Sequence, residues 1–74
     1  MRTVHVTAAF DDEAGVWYVA DSDLPGLVTE AETFEALRAK LPAIVEDIID
    51  ANDLDMRGEV TIELTAHARA VAHA

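Results

Sequence analysis

The feature that most constrains this chain is one amphipathic helical stripe lying between segments that alternate with period two. Apolar residues recur at helical spacing from Phe34 to Ile49, which predicts one buried face of a helix of about five turns. Thr33 precedes the stripe and predicts the N-cap of this helix. Pro42 lies inside the stripe, and because its ring clashes with the preceding turn, we predict a kink near residues 37–41.

The segments on either side of this helix have the patterns of β-strands. Residues 3–10 alternate, with Val4, Val6, Ala8 and Phe10 on one side, and residues 59–66 alternate in the same way. Residues 16–20 are rich in aromatic and β-branched residues, and residues 27–31 form a shorter apolar run, so two more strands are expected. Pro25 and Gly26 predict a turn between these two strands, in which Gly26 takes a positive φ.

The order of these elements predicts an α+β domain with two layers and the succession β-β-β-α-β. Short turns make the first three strands an antiparallel meander, and the helix is long enough to act as a crossover. Such crossovers are right-handed, so the fourth strand should lie beside the first and parallel to it, which gives the sheet order 3-2-1-4. Residues 1–66 form a single domain in this interpretation, and residues 67–74 form a short tail that is either helical or frayed.

The charge of the chain excludes some classes of partner and favours others. Fifteen acids and five bases give a net charge of -10, and residues 66–74 contain no acid. A chain of this charge repels phosphate, so direct nucleic-acid binding is not expected, whereas a basic protein would be attracted. No apolar run approaches the roughly 20 residues of a membrane span, and no export signal precedes the first strand, so we expect a cytoplasmic protein without membrane contact.

The residues that usually carry catalysis are present in patterns that do not support it. Asp11, Asp12 and Glu13 are consecutive in a loop, and Glu63 has no acidic partner at its level in the fourth strand, so a site for two metal ions is not expected. The three histidines lack the spacing of metal ligands, and for His5 we predict a cross-strand contact with Thr61 or Glu63. We therefore predict no catalytic, metal-binding or cofactor-binding residue and no enzymatic activity; a metal-dependent nuclease is the alternative.

One stretch of the chain resembles a known family. The segment from Trp17 to Ala20, the turn Asp23-Leu24-Pro25-Gly26 with residues 27–31, and then Thr33 and Glu35-Ala36 resemble the N-terminal domain of HicB-like antitoxins. The resemblance covers about residues 3–65 and is closest to small standalone members of unknown function. It implies a partial ribonuclease-H-like fold and a domain that docks on a small basic ribonuclease toxin. Because the eight residues after Ala66 are too few for a ribbon–helix–helix or helix–turn–helix motif, we expect no DNA-binding domain.

These observations give a first hypothesis: an antitoxin-type module that neutralises a small basic toxin by stoichiometric binding. The candidate partner-binding residues are Asp21, Asp23, Trp17, Tyr18 and Glu30. Trp17 and Tyr18 are adjacent in a strand, so one is expected in the core and the other on the open face of the sheet. The alternative is a self-associating domain without a toxin partner, and a homodimer is expected under either hypothesis because the sheet edges are unpaired in a monomer.

Overall fold

The computed structural model describes residues 2–52 and 58–73; for residue 2 it describes the main chain alone. Four strands and one helix follow one another as β1 (Arg2–Asp11), β2 (Val16–Ser22), β3 (Glu30–Ala31), α1 (Phe34–Ala51) and β4 (Val60–His67). The predicted α+β fold and its β-β-β-α-β succession are confirmed. No helix in the described part of the chain is long and apolar enough to cross a bilayer.

The four strands form one mixed sheet in the order β3-β2-β1-β4, as predicted. Strand β1 lies at its centre, antiparallel to β2 and parallel to β4, and β2 pairs with β3 in antiparallel fashion. The parallel pair requires a crossover, which α1 provides. The helix covers one face of the sheet, and the other face, which we call the open face, carries no element of the described chain.

The core lies between α1 and the face of β1 that carries the alternating apolar residues. Val4 and Val6 are buried there against Leu41 and Val45 of the helix. The hydroxyl of Thr33 accepts a hydrogen bond from the Ala36 amide at 3.0 Å, so the predicted N-cap is present. Pro42 lies inside α1, which runs without a break from Phe34 to Ala51, and the kink near residues 37–41 stays a prediction.

The predicted third strand, residues 27–31, is wrong in extent, since only Glu30 and Ala31 pair with β2. The preceding loop is held by packing rather than by a ladder: Leu24 and Leu27 are 4% and 5% exposed and belong to the core. Gly26 lies between them with a φ of 83°, the positive value expected for this turn. The loop therefore contributes two buried leucines to the core. In a strand these two residues, three positions apart, would point to opposite faces of the sheet.

The last strand and the tail also differ slightly from the expectation. Strand β4 spans Val60–His67, so it begins and ends one residue later than predicted, and His67 belongs to the sheet rather than to the tail. Residues 68–73 have no regular secondary structure and are exposed, which excludes the helical alternative for this segment. We call residues 68–73 the C-terminal arm.

Candidate functional site: the open face of the sheet

An irregularity in the sheet decides which side chains reach the open face. Along β1 and β2, Ala8 lies opposite Val19 but Thr7 lies opposite Asp21, so Ala20 is an extra residue on β2. A bulge of this kind shifts every later residue of its strand to the other face. Without it, Asp21 would point toward the helix; with it, Asp21 shares the open face with Tyr18.

The open face carries four carboxylates and one aromatic residue. Glu30 lies opposite Tyr18, and opposed residues of paired strands point to the same side. Asp21 lies opposite Thr7 on the same face, and Glu63 of β4 lies beside His5. Asp23, just beyond β2, contacts the His5 side chain there. Among the strand side chains that the structure describes, no lysine or arginine faces this side.

His5 stands at the centre of this face between two carboxylates. Its Nδ1 lies 2.9 Å from Oδ2 of Asp23, and its Nε2 lies 2.8 Å from Oε2 of Glu63. The same Asp23 oxygen accepts a 2.9 Å hydrogen bond from the His5 main-chain amide, and the Asp23 amide donates to the His5 carbonyl at 3.1 Å. This Asp23–His5–Glu63 cluster therefore joins the loop after β2 to the central strand and to the edge strand β4.

The geometry of the cluster favours the charged form of the histidine. A neutral imidazole has only one N–H, so it can donate to one of the two carboxylates but not to both. The hydrogen bond that the His5 ring donates to Asp23 raises the pKa of His5 above its ordinary value of 6.5, and Glu63 adds to this effect. In turn, the main-chain and then the ring hydrogen bonds from His5 lower the pKa of the Asp23 carboxyl below 3.8. All three side chains remain more than half exposed, so solvent screens these interactions.

The two aromatic candidates lie on opposite sides of β2, as expected. Trp17 faces the helix side, where its ring makes edge contacts with Phe10 and Phe34 at centroid distances of 5.4 and 5.3 Å. Tyr18 is 39% exposed on the open face. Of the five residues predicted for partner binding, Asp21, Asp23, Tyr18 and Glu30 thus share one surface, and Trp17 is a packing residue on the other side.

Sequence reasoning identified part of the histidine cluster. The predicted contact between His5 and Glu63 is present, because the two residues are neighbours in the parallel β1–β4 pair. The contact with Asp23 was missed. The available signal was its position: Asp23 directly follows β2, the strand that pairs with β1. Within residues 2–52 and 58–73, no group of three or more histidine, cysteine or acidic side chains is arranged to hold a metal ion.

The fold and this surface define a small single-sheet α+β domain with one covered and one acidic face, and comparisons place it in a family. The chain belongs to the family described as domain of unknown function DUF1902, whose model matches residues 3–73. Among solved structures it is similar to the hypothetical protein TTHA1013 from the extremely thermophilic bacterium Thermus thermophilus. The two chains are 41% identical with a TM-score of 0.82, covering 96% of this chain and 100% of that one. No curated protein matches this chain.

Proposed function

We propose that this chain is a HicB-like antitoxin-type module that neutralises a small basic toxin in the cytoplasm by stoichiometric binding, without catalysis of its own. One observation carries the proposal: Asp21, Asp23, Glu30 and Glu63 share one face of the sheet with Tyr18. That face has no covering element in the described chain. The β-β-β-α-β succession is also the one that the resemblance to HicB-like domains implies.

The electrostatics of this face suit a cationic protein partner. A surface of one sign raises the local concentration of an oppositely charged partner and accelerates association, most strongly at low salt. The net charge of -10 extends this attraction beyond the contact itself. Steering by charge alone does not hold a complex together, however, because exposed ion pairs contribute little to affinity.

Tyr18 supplies the apolar contact that the complex needs. A tyrosine combines a large ring surface with a hydroxyl that can hydrogen-bond at a wet interface, and such residues are frequent hot spots. Tyr18 is 39% exposed and lies opposite Glu30 on the open face. In this arrangement the acids govern the rate of association and Tyr18 governs the lifetime of the complex.

The test is capture of the partner from native cytoplasm with the tagged chain, read by mass spectrometry at low and high salt. We expect a small basic protein near a one-to-one ratio that is weakened by salt. The informative variant is Asp21→Lys with Glu30→Lys, which leaves the His5 cluster intact. Its matched control is Glu46→Lys with Asp47→Lys, an equal change in charge on exposed positions of α1.

Either of two results would contradict the proposal. Recovery of the tagged chain alone would show that it binds no toxin. Equal loss of capture in the open-face and helix variants would show that capture depends only on net charge. Tyr18→Ala should shorten the lifetime of the captured complex with little effect on its association rate.

A second candidate function, self-association, is favoured by a different observation. Strand β4 lies at the edge of the sheet, and no described element pairs with its outer side. An unpaired edge of eight residues is a template for another strand. A homodimer is compatible with partner capture, because Tyr18 and Asp21 on β2 and Glu30 on β3 are separated from the β4 edge by β1.

A further inference from the structure

The C-terminal arm leaves the domain without being packed on it. Each residue from 68 to 73 is exposed. Arg69 and Val71 border a cavity with Phe10 and Tyr18 at the end of the β1–β2 hairpin, yet Val71 stays 77% exposed. The domain itself therefore does not bury the arm.

The outer side of β4 offers a second incomplete surface. A groove runs between this edge strand and α1, and its apolar lining is provided by Phe34, Leu41, Pro42, Val60, Ile62 and Leu64. The three lining residues of β4 alternate along the strand, as side chains of one sheet face do. In the described chain, neither the outer edge of β4 nor this groove has a covering segment.

We propose that the arm of one copy pairs antiparallel with the outer edge of β4 in a second copy, and that the reciprocal pairing closes a two-fold dimer with Ala66 at its axis. The two sheets then join into one, with both helices on the same side. A two-fold contact requires each copy to supply both complementary surfaces, and this chain has an arm and an edge next to each other.

The pattern of small residues supports this register. With Ala66 opposite its own copy, Ala68, Ala70 and Ala72 lie opposite Leu64, Ile62 and Val60. Opposed residues of antiparallel strands share a face, so the three alanines would lie over the apolar groove, where small side chains fit beside larger ones. A shift of one residue would turn the alanines away from the groove and place Arg69 opposite Ile62.

The charges support the same register and explain why the occupant is a second copy. On the open-face side, Arg69 would lie opposite Glu63, whose side chain is 60% exposed, and His73 opposite Glu59. A shift of two residues in either direction would place Arg69 opposite Thr61 or Thr65 instead. The arm is the segment without acids in a chain that is otherwise strongly acidic, so it is the part of one copy that another copy attracts.

This inference specifies the self-association that accompanies the proposed function, and it does not depend on capture of a toxin. Sedimentation equilibrium of the wild-type chain should show a dimer that dissociates on dilution. In Arg69→Glu, like charges would face each other twice per dimer, so we expect the dissociation constant to rise roughly tenfold or more. A wild-type mass of 8.0 kDa at every concentration up to the millimolar range would overturn the proposal.

A cross-link tests the register directly. The chain has no cysteine, so Ala66→Cys places one thiol beside its copy at the axis, at a separation that a disulfide can bridge. We expect mild oxidation to give a covalent dimer, and the control Ala14→Cys at the exposed hairpin tip to stay monomeric. Equal cross-linking of both variants would refute the interface. The open-face variant Asp21→Lys with Glu30→Lys should dimerise normally, so failure of toxin capture and failure of the dimer are distinguishable.

Discussion

Truncation of Leu41 tests whether the core depends on the helix as the structure indicates. Leu41 is 1% exposed at the middle of α1 and packs in one cluster with Val4, Val6 and Val45. Leucine-to-alanine changes at such sites cost about 2–5 kcal/mol, because transfer free energy is lost and a cavity remains. A chain of this length has a stability of only about 4–11 kcal/mol, so Leu41→Ala should remove a large share of it.

The assay is thermal and urea unfolding followed by circular dichroism at one fixed protein concentration, since any dimer makes stability depend on concentration. A loss near 3 kcal/mol should lower the melting temperature by roughly 12–24 °C. The matched control is Leu64→Ala, which removes the same atoms from a half-buried residue of the edge strand. Leu64 lines the same groove as Leu41. We expect about 1–2 kcal/mol there. A loss below about 1 kcal/mol for Leu41→Ala, or an equal loss for both variants, would refute the assignment of the core.

Three further predictions concern the histidine cluster, the helix cap and the turn. Because His5 has a raised pKa and Asp23 a lowered one, the cluster stabilises the folded state most between pH 3.8 and pH 6.5, the ordinary pKa values of Asp23 and His5. The melting temperature of wild type should exceed that of His5→Gln most in this range, and the difference should shrink as pH rises through the folded pKa of His5 or falls through that of Asp23. A difference that is constant with pH would contradict the geometry. Thr33→Ala should cost about 1 kcal/mol, measured by urea unfolding, whereas Thr33→Ser should cost little because it retains the hydroxyl that caps the Ala36 amide. Gly26→Ala should cost about 1–2 kcal/mol through strain alone, because φ is 83° and open space surrounds the site; an unchanged denaturation midpoint would show that the turn adopts another conformation.

Much of the fold could be predicted because local patterns and chain connectivity agree. The alternation in β1, the stripe of α1 and the crossover rule together lead to the sheet order 3-2-1-4, which the structure confirms. The extent of β3 could not be predicted from its apolar run, because Leu27 serves the core from a loop and not from a strand. The sequence pattern shows that a residue is apolar, but it does not show which element buries that residue.

The candidate surface was predictable in its residues but not in its assembly. The sequence alone determined that the chain is acidic, that one of Trp17 and Tyr18 faces outward, and that His5 lies near Thr61 or Glu63 through the parallel pairing of β1 with β4. Tertiary structure alone decided that Asp21 shares a face with Tyr18, because the bulge at Ala20 reverses the alternation of β2. It also decided that Asp23 completes the cluster around His5, since hydrogen bonds between segments 18 residues apart fix that contact. A pattern with period two carries no sign of an inserted residue, so the composition of the open face emerges only when the strands pair.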